Sequence, residues 1–484
     1  MKILFLYPKW TDEYGIFSIF AKKAGVWPPL NLACLAAVVE NLGHEVKIID
    51  GEVEDMPLKK MVEEAIAFKP DVVGITATTP FYHISENLAK GLKQRISETP
   101  VIIGGAHVTI LKEEAFSPFF DYAFIGEAEG SFPLFLEQHE KKGDMSCVKG
   151  LLYREKGRVK FTGEAHPILD LDSLPLPARH LLKMDKYKIG TLDGIKNFAP
   201  IMTARGCPFK CIFCSRKVFG SRMRKRSPAL VVEEIESIVN KYDISHFIFS
   251  DDTLTLDRDH VLKICDLIME KKLKITFEGG TRANLIDEEL VSRMTKVGLK
   301  RLSFGLESVD ENMRKIMKKE VPLESYITAN RLTNKYGVET LNSCMIGLPG
   351  ETKETVRKTL AFLRQSREIK QANISIAVPY PGTELYEMAK RGDCGLQLIT
   401  GDFSKFRRYN CASMSVGDLS PADLIELQNQ AFVSIYLAPW RWMPMLRKSG
   451  LLGCLLTFSR LLKSVFGWKV DFATNKQLGI KNIR

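Results

Sequence analysis

Short apolar runs alternate with amphipathic stretches along the first 140 residues. Lys2–Tyr7, Glu45–Asp50, Asp71–Thr76, Val101–Ile103 and Tyr122–Ile125 have the length and composition of strands. Leu30–Leu42, Met56–Phe68 and His83–Ile96 repeat their apolar positions with the period of a helix, and a further helix runs through Glu137. Continuous apolar strands between helices predict a parallel sheet covered on both faces. Ligands of such sheets bind beyond the carboxyl ends of the strands. The residues expected there are Pro8, Asp50-Gly51, Thr76 to Thr79 with Thr78 among them, Gly104-Gly105 and Gly126-Glu127. Their small side chains let a bulky ligand approach the backbone.

A second alternating region runs from about 198 to 390. Its predicted strands are Ala199–Ala204, His246–Ser250, Ile275–Glu278, Arg301–Phe304, Glu339–Ile346 and Asn373–Val378, separated by helical patterns such as Val231–Lys241, Asp259–Lys271 and Thr352–Arg364. Six strand–helix units predict a partial parallel barrel with its chemistry at the carboxyl ends. Between the two regions, residues 141–195 read as a connector, with a hairpin around Lys156-Gly157 and an extended proline-rich stretch from Leu171 to Arg179.

Composition adds limits. With 45% apolar and 26% charged residues over 484 positions, the chain is neither disordered nor collagen-like nor a small disulfide scaffold, and it can bury several cores. Charge is uneven: residues 440–484 hold nine basic and one acidic residue, +8 of the net +11. A nearly neutral body speaks against a nucleic-acid partner. The opening apolar run reads as a strand rather than a secretory signal, and no stretch is long enough to span a bilayer, so a cytoplasmic protein is expected. Its ten cysteines are then thiols or metal ligands.

Directly after the first barrel strand stands Arg205-Gly-Cys-Pro-Phe-Lys-Cys-Ile-Phe-Cys-Ser215, which spaces Cys207, Cys211 and Cys214 as C-x3-C-x2-C. Three thiolates on one loop can hold three irons of a [4Fe-4S] cubane, which usually takes four cysteines, and leave one iron open. A zinc knuckle would need a fourth ligand, and the nearest downstream candidates are His246, His260 and Cys265.

The loop resembles the signature of the radical S-adenosylmethionine (SAM) enzymes. The resemblance implies that the open iron chelates the methionine amino and carboxylate groups of SAM, and that an electron splits the sulfonium to give a 5'-deoxyadenosyl radical. Phe213 would pack near the adenine. Ser250-Asp-Asp-Thr253 stands where the family has Gly-Gly-Glu, so Asp251 or Asp252 would hold the methionine ammonium. Arg282 could pair with the carboxylate as a bidentate fork. Glu307, in Phe304-Gly-Leu-Glu-Ser308, resembles the ribose ligand. Gly347 and Pro349, in Ile346-Gly-Leu-Pro-Gly350, resemble the adenine-binding segment, and Pro379-Tyr-Pro-Gly-Thr383 ends the sixth strand.

With Trp27-Pro-Pro-Leu-Asn-Leu-Ala33, Ile102-Ile-Gly-Gly-Ala-His107 and Ile125-Gly-Glu-Ala-Glu-Gly130, the first region resembles the cobalamin-binding domain that precedes many radical SAM enzymes, closest to the branch of the anaerobic tetrapyrrole cyclase and the hopanoid and carbon methylases. Pro8, Thr76, Thr78, Gly104, Gly105, Gly126 and Glu127 would then face cobalamin. The Asp-x-His-x-x-Gly string that ligates cobalt in mutases is absent, leaving His83 and His107 as substitutes.

The expected fold class is α/β: a doubly wound Rossmann-like cobalamin domain over 1–140, the connector 141–195, a partial (β/α)6 radical SAM barrel over 196–400, and a helical basic region over 401–484. Within the last, Ser420 caps a helix with Pro421 at its first position. The apolar run Met445–Trp468, bordered by Arg447, Lys448, Arg460 and Lys463, would either contact the inner face of a membrane or pack on the barrel. The implied activity is a cobalamin-dependent radical SAM methyltransferase acting on an unactivated carbon of a small molecule, a lipid or tetrapyrrole among the candidates. One SAM methylates cobalamin, a second supplies the radical, and the substrate radical takes methyl from methylcobalamin. The partner is an external electron donor such as flavodoxin or ferredoxin. The alternative is a cyclase or oxidoreductase of the same branch without methyl transfer. Methylthiotransfer to transfer RNA would need a second three-cysteine cluster, and only Cys34 and Cys147 precede the barrel.

Overall fold

The computed structural model describes residues 1–13, 25–191, 194–436 and 438–441. Its first sheet contains β1 (Lys2–Tyr7), β2 (Glu45–Asp50), β3 (Val72–Thr76), β4 (Val101–Gly104), β5 (Tyr122–Phe124), β6 (Leu151–Glu155) and β7 (Arg158–Phe161) in the spatial order 2-1-3-4-5-6-7. The first five strands are parallel. The last two run antiparallel. The hairpin assigned to the connector therefore completes the first sheet: buried Leu151, Leu152 and Tyr153 cover the edge that β5 would otherwise expose.

Alternation along β1 shows why both faces are needed. Leu4 and Leu6 enter a core confined to the first domain, whereas Ile3 and Phe5 belong to a cluster that runs on into the barrel. The two domains thus share apolar packing.

An antiparallel hairpin of β8 (Lys188–Thr191) and β9 (Gly194–Asn197), which the sequence pattern did not reveal, leads into the second sheet. After β10 (Ala199–Ile201), the pair β11 (Ala204–Arg205) and β12 (Arg224–Lys225) brackets the cysteine loop. Then β13 (His246–Phe249), β14 (Thr276–Thr281), β15 (Leu299–Glu307), β16 (Glu339–Ile346) and β17 (Ala372–Ile376) join β10 as six parallel strands in sequence order. This is the expected open barrel. Its crossover helices start at side-chain caps: Ser227 before Pro228–Tyr242, Asp257 before Arg258–Glu270, Asp287 before Glu288–Lys296, and a Thr352/Thr355 capping box before Lys353–Gln365.

Beyond residue 400 the chain is not wholly helical, because β18 (Leu396–Leu398) pairs with β19 (Met414–Val416). Helix Pro421–Tyr436 follows, with Ser420 Oγ accepting from Asp423 N–H, and packs on β17 and Lys353–Gln365. Arg441, counted above with the basic tail, is buried and donates to the carbonyls of Leu363 and Ile369. The apolar run Met445–Trp468 lies outside the described residues. Among the described residues no helix is long and apolar enough to cross a membrane.

Candidate active site

The cysteine loop leaves the carboxyl end of β10 and is stapled at its neck by the β11–β12 pair. Gly206 turns the chain into the loop at φ +96°, where a Cβ would lie 2.4 Å from the Arg222 carbonyl oxygen, so only glycine fits. Asp251 and Asp252, after β13, hold this turn. Asp251 Oδ1 accepts from the Thr203 and Ala204 N–H groups at 2.6 and 3.1 Å, and Oδ2 accepts from the Thr203 hydroxyl at 2.5 Å. Asp252 Oδ2 accepts from Gly206 N–H at 3.1 Å. Burial pushes Asp251 up to about 6 and also raises Asp252. Both oxygens of Asp251 are thus engaged, Oδ1 by backbone N–H groups and Oδ2 by the Thr203 hydroxyl, whereas only one oxygen of Asp252 is hydrogen-bonded among the described residues. The loop's far side is tied in by Ile212 N–H to Met317 O at 3.1 Å and Leu385 N–H to Ile212 O at 2.9 Å.

Cys207 and Cys211 are half-buried, and Cys214 reaches the surface. The surroundings of the Cys214 sulfur push its thiol up to about 12, first through loss of solvation and then through Cys211, with Lys319 opposing. Such a thiol ionises only against strong positive charge, which a bound metal supplies. Among the described residues no three His, Cys, Asp or Glu side chains converge on one point as a single zinc ion would require. A cubane takes one thiolate per iron. His246 stands at the amino end of β13 and meets Thr276, His260 meets Thr203, and Cys265 is buried in a helix. The donor set therefore fits a three-cysteine cluster better than zinc.

Around the loop stand the other barrel residues singled out above. Arg282 follows β14, its guanidinium 3.7 Å from the Phe209 ring centroid and its Nη1 3.7 Å from Cys211 Sγ. Its Nε is buried without a hydrogen-bond partner among the described residues, a donor left for an anionic ligand. Phe213 packs against the core with Lys319 Nζ 5.7 Å above its ring. Glu307 ends β15 at φ +60°, and its Oε1 accepts from Lys319 Nζ at 2.7 Å. Gly347, at φ +85°, and Leu348 donate their N–H groups to Glu351 Oε2 at 2.6 and 3.0 Å, and Pro349 is buried in the same turn. Burial pushes Glu351 up to about 7. Sequence reasoning missed Glu351, Lys319 and Phe209. Glu351 stood next to the Gly-Leu-Pro-Gly motif and was within reach of it.

The first domain presents its strand ends to this barrel mouth. A Cβ on Gly382, after β17, would lie 2.6 Å from Ile110 Cγ2, which follows β4. A cavity of about 220 Å³ lies between the domains. Thr76, Gly104, Gly105, Gly126 and Glu127 line it, together with Asn31 and Cys34 from helix Leu30–Asn41. Asn31 Nδ2 donates to Thr76 Oγ1 at 2.9 Å. A Cβ on Gly104 or Gly126 would meet nothing within 4 Å, so the backbone there leaves room for a large ligand.

Pro8 and Thr78 do not line this cavity. After Pro8 the chain bends toward the end of β2, where the Trp10 and Thr11 N–H groups reach Glu52 at 2.9 and 3.0 Å. Thr78 is exposed at the start of the turn Thr79–Phe81. His83 pairs with Glu13 at 3.3 Å, and His107 is packed between Tyr82 and Phe403 and pushed down to about 4 by burial. Neither lines the cavity.

Glu127 has a second role. Oε1 accepts from Arg205 on β11 at 2.8 Å, and Oε2 from Arg224 on β12 at 2.6 Å. Burial would raise its carboxyl, but the two guanidinium groups prevail and hold it below the usual carboxylate range. Arg205 also reaches Glu129 at 2.7 Å. One carboxylate of the first domain therefore grips both strands at the neck of the cysteine loop.

Comparison with known proteins agrees with this geometry. A match to the Radical SAM superfamily spans residues 201–363, and one to the B12 binding domain spans residues 18–136. An uncharacterized methyltransferase of Pyrococcus horikoshii, PH0819, is 34% identical over 91% of this chain and 93% of its own length. The anaerobic magnesium-protoporphyrin IX monomethyl ester cyclase of Rubrivivax gelatinosus is 29% identical over 96% of this chain and 83% of its own. Among solved structures, the radical SAM methyltransferase TsrM of Kitasatospora setae, with cobalamin and a [4Fe-4S] cluster bound, superposes with a TM-score of 0.70 at 17% identity, covering 90% of this chain and 88% of that one. That likeness carries the fold.

Proposed function

The chain belongs to the radical SAM superfamily, in the branch whose barrel follows a B12-binding domain, and from that premise we propose that it is a cobalamin-dependent methyltransferase acting on an unactivated carbon of a small molecule, a lipid or tetrapyrrole among the candidates. The observation that carries the reading is the Glu127 grip, which fixes the glycine-lined cavity against the neck of the cysteine loop. When bound, the cluster with SAM supplies a hydrogen-abstracting radical, and cobalamin supplies a transferable methyl group.

The chain's own residues bind and orient. Cys207, Cys211 and Cys214 hold three irons. Arg282 uses its unpartnered Nε on the methionine carboxylate, and Asp252 takes the ammonium. Glu307 faces the ribose, while Phe213 and the Gly347–Pro349 turn, pinned by Glu351, receive the adenine. Thr76, Gly104, Gly105 and Gly126 form the cobalamin wall. The apolar packing shared by the two domains holds the first sheet against the barrel. Electrons come from a low-potential donor such as flavodoxin or ferredoxin.

Methyl transfer is favoured because a relative at 34% identity over nearly its whole length is named a methyltransferase. A second reading, ring closure on a tetrapyrrole, follows from the cyclase that matches 96% of this chain. Anaerobic purification with cobalamin, followed by iron, sulfide and cobalt analysis, tests the cofactor pair: cluster iron with stoichiometric cobalt supports the reading, and iron without cobalt rejects it. Incubation with methyl-labelled SAM and candidate lipids and tetrapyrroles then separates the two reactions, since only transfer places label in the product.

A further inference from the structure

Lys318 and Lys319 are neighbours with opposite fates. Lys318 adopts φ +52°, turns the chain after helix Glu311–Ile316, and sends its own side chain out to exposed Glu384 at 2.7 Å. The turn aims Met317 O at the cysteine loop, where it accepts from Ile212 N–H, and drives Lys319 into the barrel mouth, where it is buried. Glu307 meets it there. The register of β15 on β16 shifts between Gly305 and Glu307, and the left-handed backbone of Glu307 folds its carboxylate back over Gly305. A Cβ on Gly305 would lie 2.3 Å from both Lys319 Nζ and Glu307 Oε1, so the ion pair occupies the space that only a glycine leaves. Lys319 Nζ lies 5.7 Å over the ring of Phe213, the residue before Cys214, so the ammonium stands against the cysteine loop from inside the barrel.

We propose that Lys319 is a fixed counter-charge of the cysteine-loop cluster, which favours its reduced form and orients Glu307 through their ion pair. The inference rests on the cluster assignment above. Reduction adds one electron, and hence one negative charge, to a cluster already held by three thiolates; the electron comes from a low-potential one-electron reductant. A buried cation against the cysteine loop stabilises the more negative state, and Glu307 partly offsets it. Removing either partner should therefore move the reduction equilibrium in opposite directions, which loss of packing alone would not do.

The test is a potentiometric titration of the full-length, cluster-loaded protein with dithionite, without SAM, followed by electron paramagnetic resonance. Lys319→Met should lower the reduced-to-oxidised ratio at a fixed potential ~10-fold, equal to ~59 mV for one electron. Glu307→Gln should raise that ratio, Lys319→Met/Glu307→Gln should return toward wild type, and Lys319→Arg should stay within ~3-fold of it. SAM affinity by equilibrium binding should fall in Lys319→Met and recover in Lys319→Arg. Shifts of the same sign in the two single variants, or no rise in Glu307→Gln, would overturn the proposal even if Lys319→Met fails to hold its cluster. A wild-type protein without cluster iron would instead overturn the cluster assignment itself.

Discussion

The cavity between the domains is lined mostly by backbone, glycines and apolar side chains, and its charged residues pair with one another, whereas the barrel mouth holds charged groups that are only partly paired. In the cavity, Gly104 and Gly126 leave space, and Glu127 is already paired with Arg205 and Arg224. In the mouth, among the described residues, Arg282 Nε has no hydrogen-bond partner, and Asp252 and Glu307 each have one oxygen hydrogen-bonded, to Gly206 N–H and Lys319. The difference suits the two ligands. A large corrinoid is held by shape and buried surface; a small zwitterion at an iron needs each of its charged groups met. Both sites sit at the carboxyl edge of a parallel sheet, so the fold fixes their location and the side chains fix their chemistry.

The largest expected effect breaks the charged side. Cys211→Ala should lose cluster iron and reduce 5'-deoxyadenosine formation to background, read by iron analysis and product chromatography. Formation at the wild-type level would sink the cluster assignment. Next comes the contact that joins the two sites. Glu127→Ala leaves Arg205 and Arg224 buried without their shared carboxylate, and should cost about 3–5 kcal/mol in denaturant unfolding.

Glu351 sharpens the comparison through pH. Its folded-state value, about 7, stands above the ordinary 4.5, so between these values the folded chain binds the proton and the unfolded chain does not. Its contribution is fully present below the lower value and is lost as pH rises through the higher one. Glu351→Gln should flatten the stability–pH curve across that window by on the order of 3 kcal/mol, seen as a smaller difference in unfolding midpoint between pH 5 and 7.5. The smallest effect tests the apolar side. Gly104→Val fills open space without a positive φ to strain, and should weaken cobalamin binding ~10-fold, or about 1.4 kcal/mol, while leaving cluster iron unchanged. Loss of iron in that variant would mean that the two sites are not separable.

Much of this was legible in one sequence. Local signals survived because they depend on neighbours in the chain: the C-x3-C-x2-C spacing, the Ser420 cap ahead of Pro421, and the alternation of strands and helices. The hairpins β8–β9 and β18–β19 were missed because each is only three or four residues per strand. Pro8 and Thr78 were placed at strand ends correctly, yet the loops that carry them turn away from the cavity.

By itself the sequence determined the two α/β regions, the cluster loop and the family, since periodicity and ligand spacing are properties of adjacent residues. Only the tertiary structure decided which of Asp251 and Asp252 is left with capacity for a ligand, which of Lys318 and Lys319 enters the site, and that Glu127 spans the domains. Those outcomes turn on burial and on partners 41 to 97 residues away for the two aspartates and Glu127, and on one left-handed turn for the lysines. A charged side chain takes its role from what surrounds it once water is removed, and no local pattern encodes that.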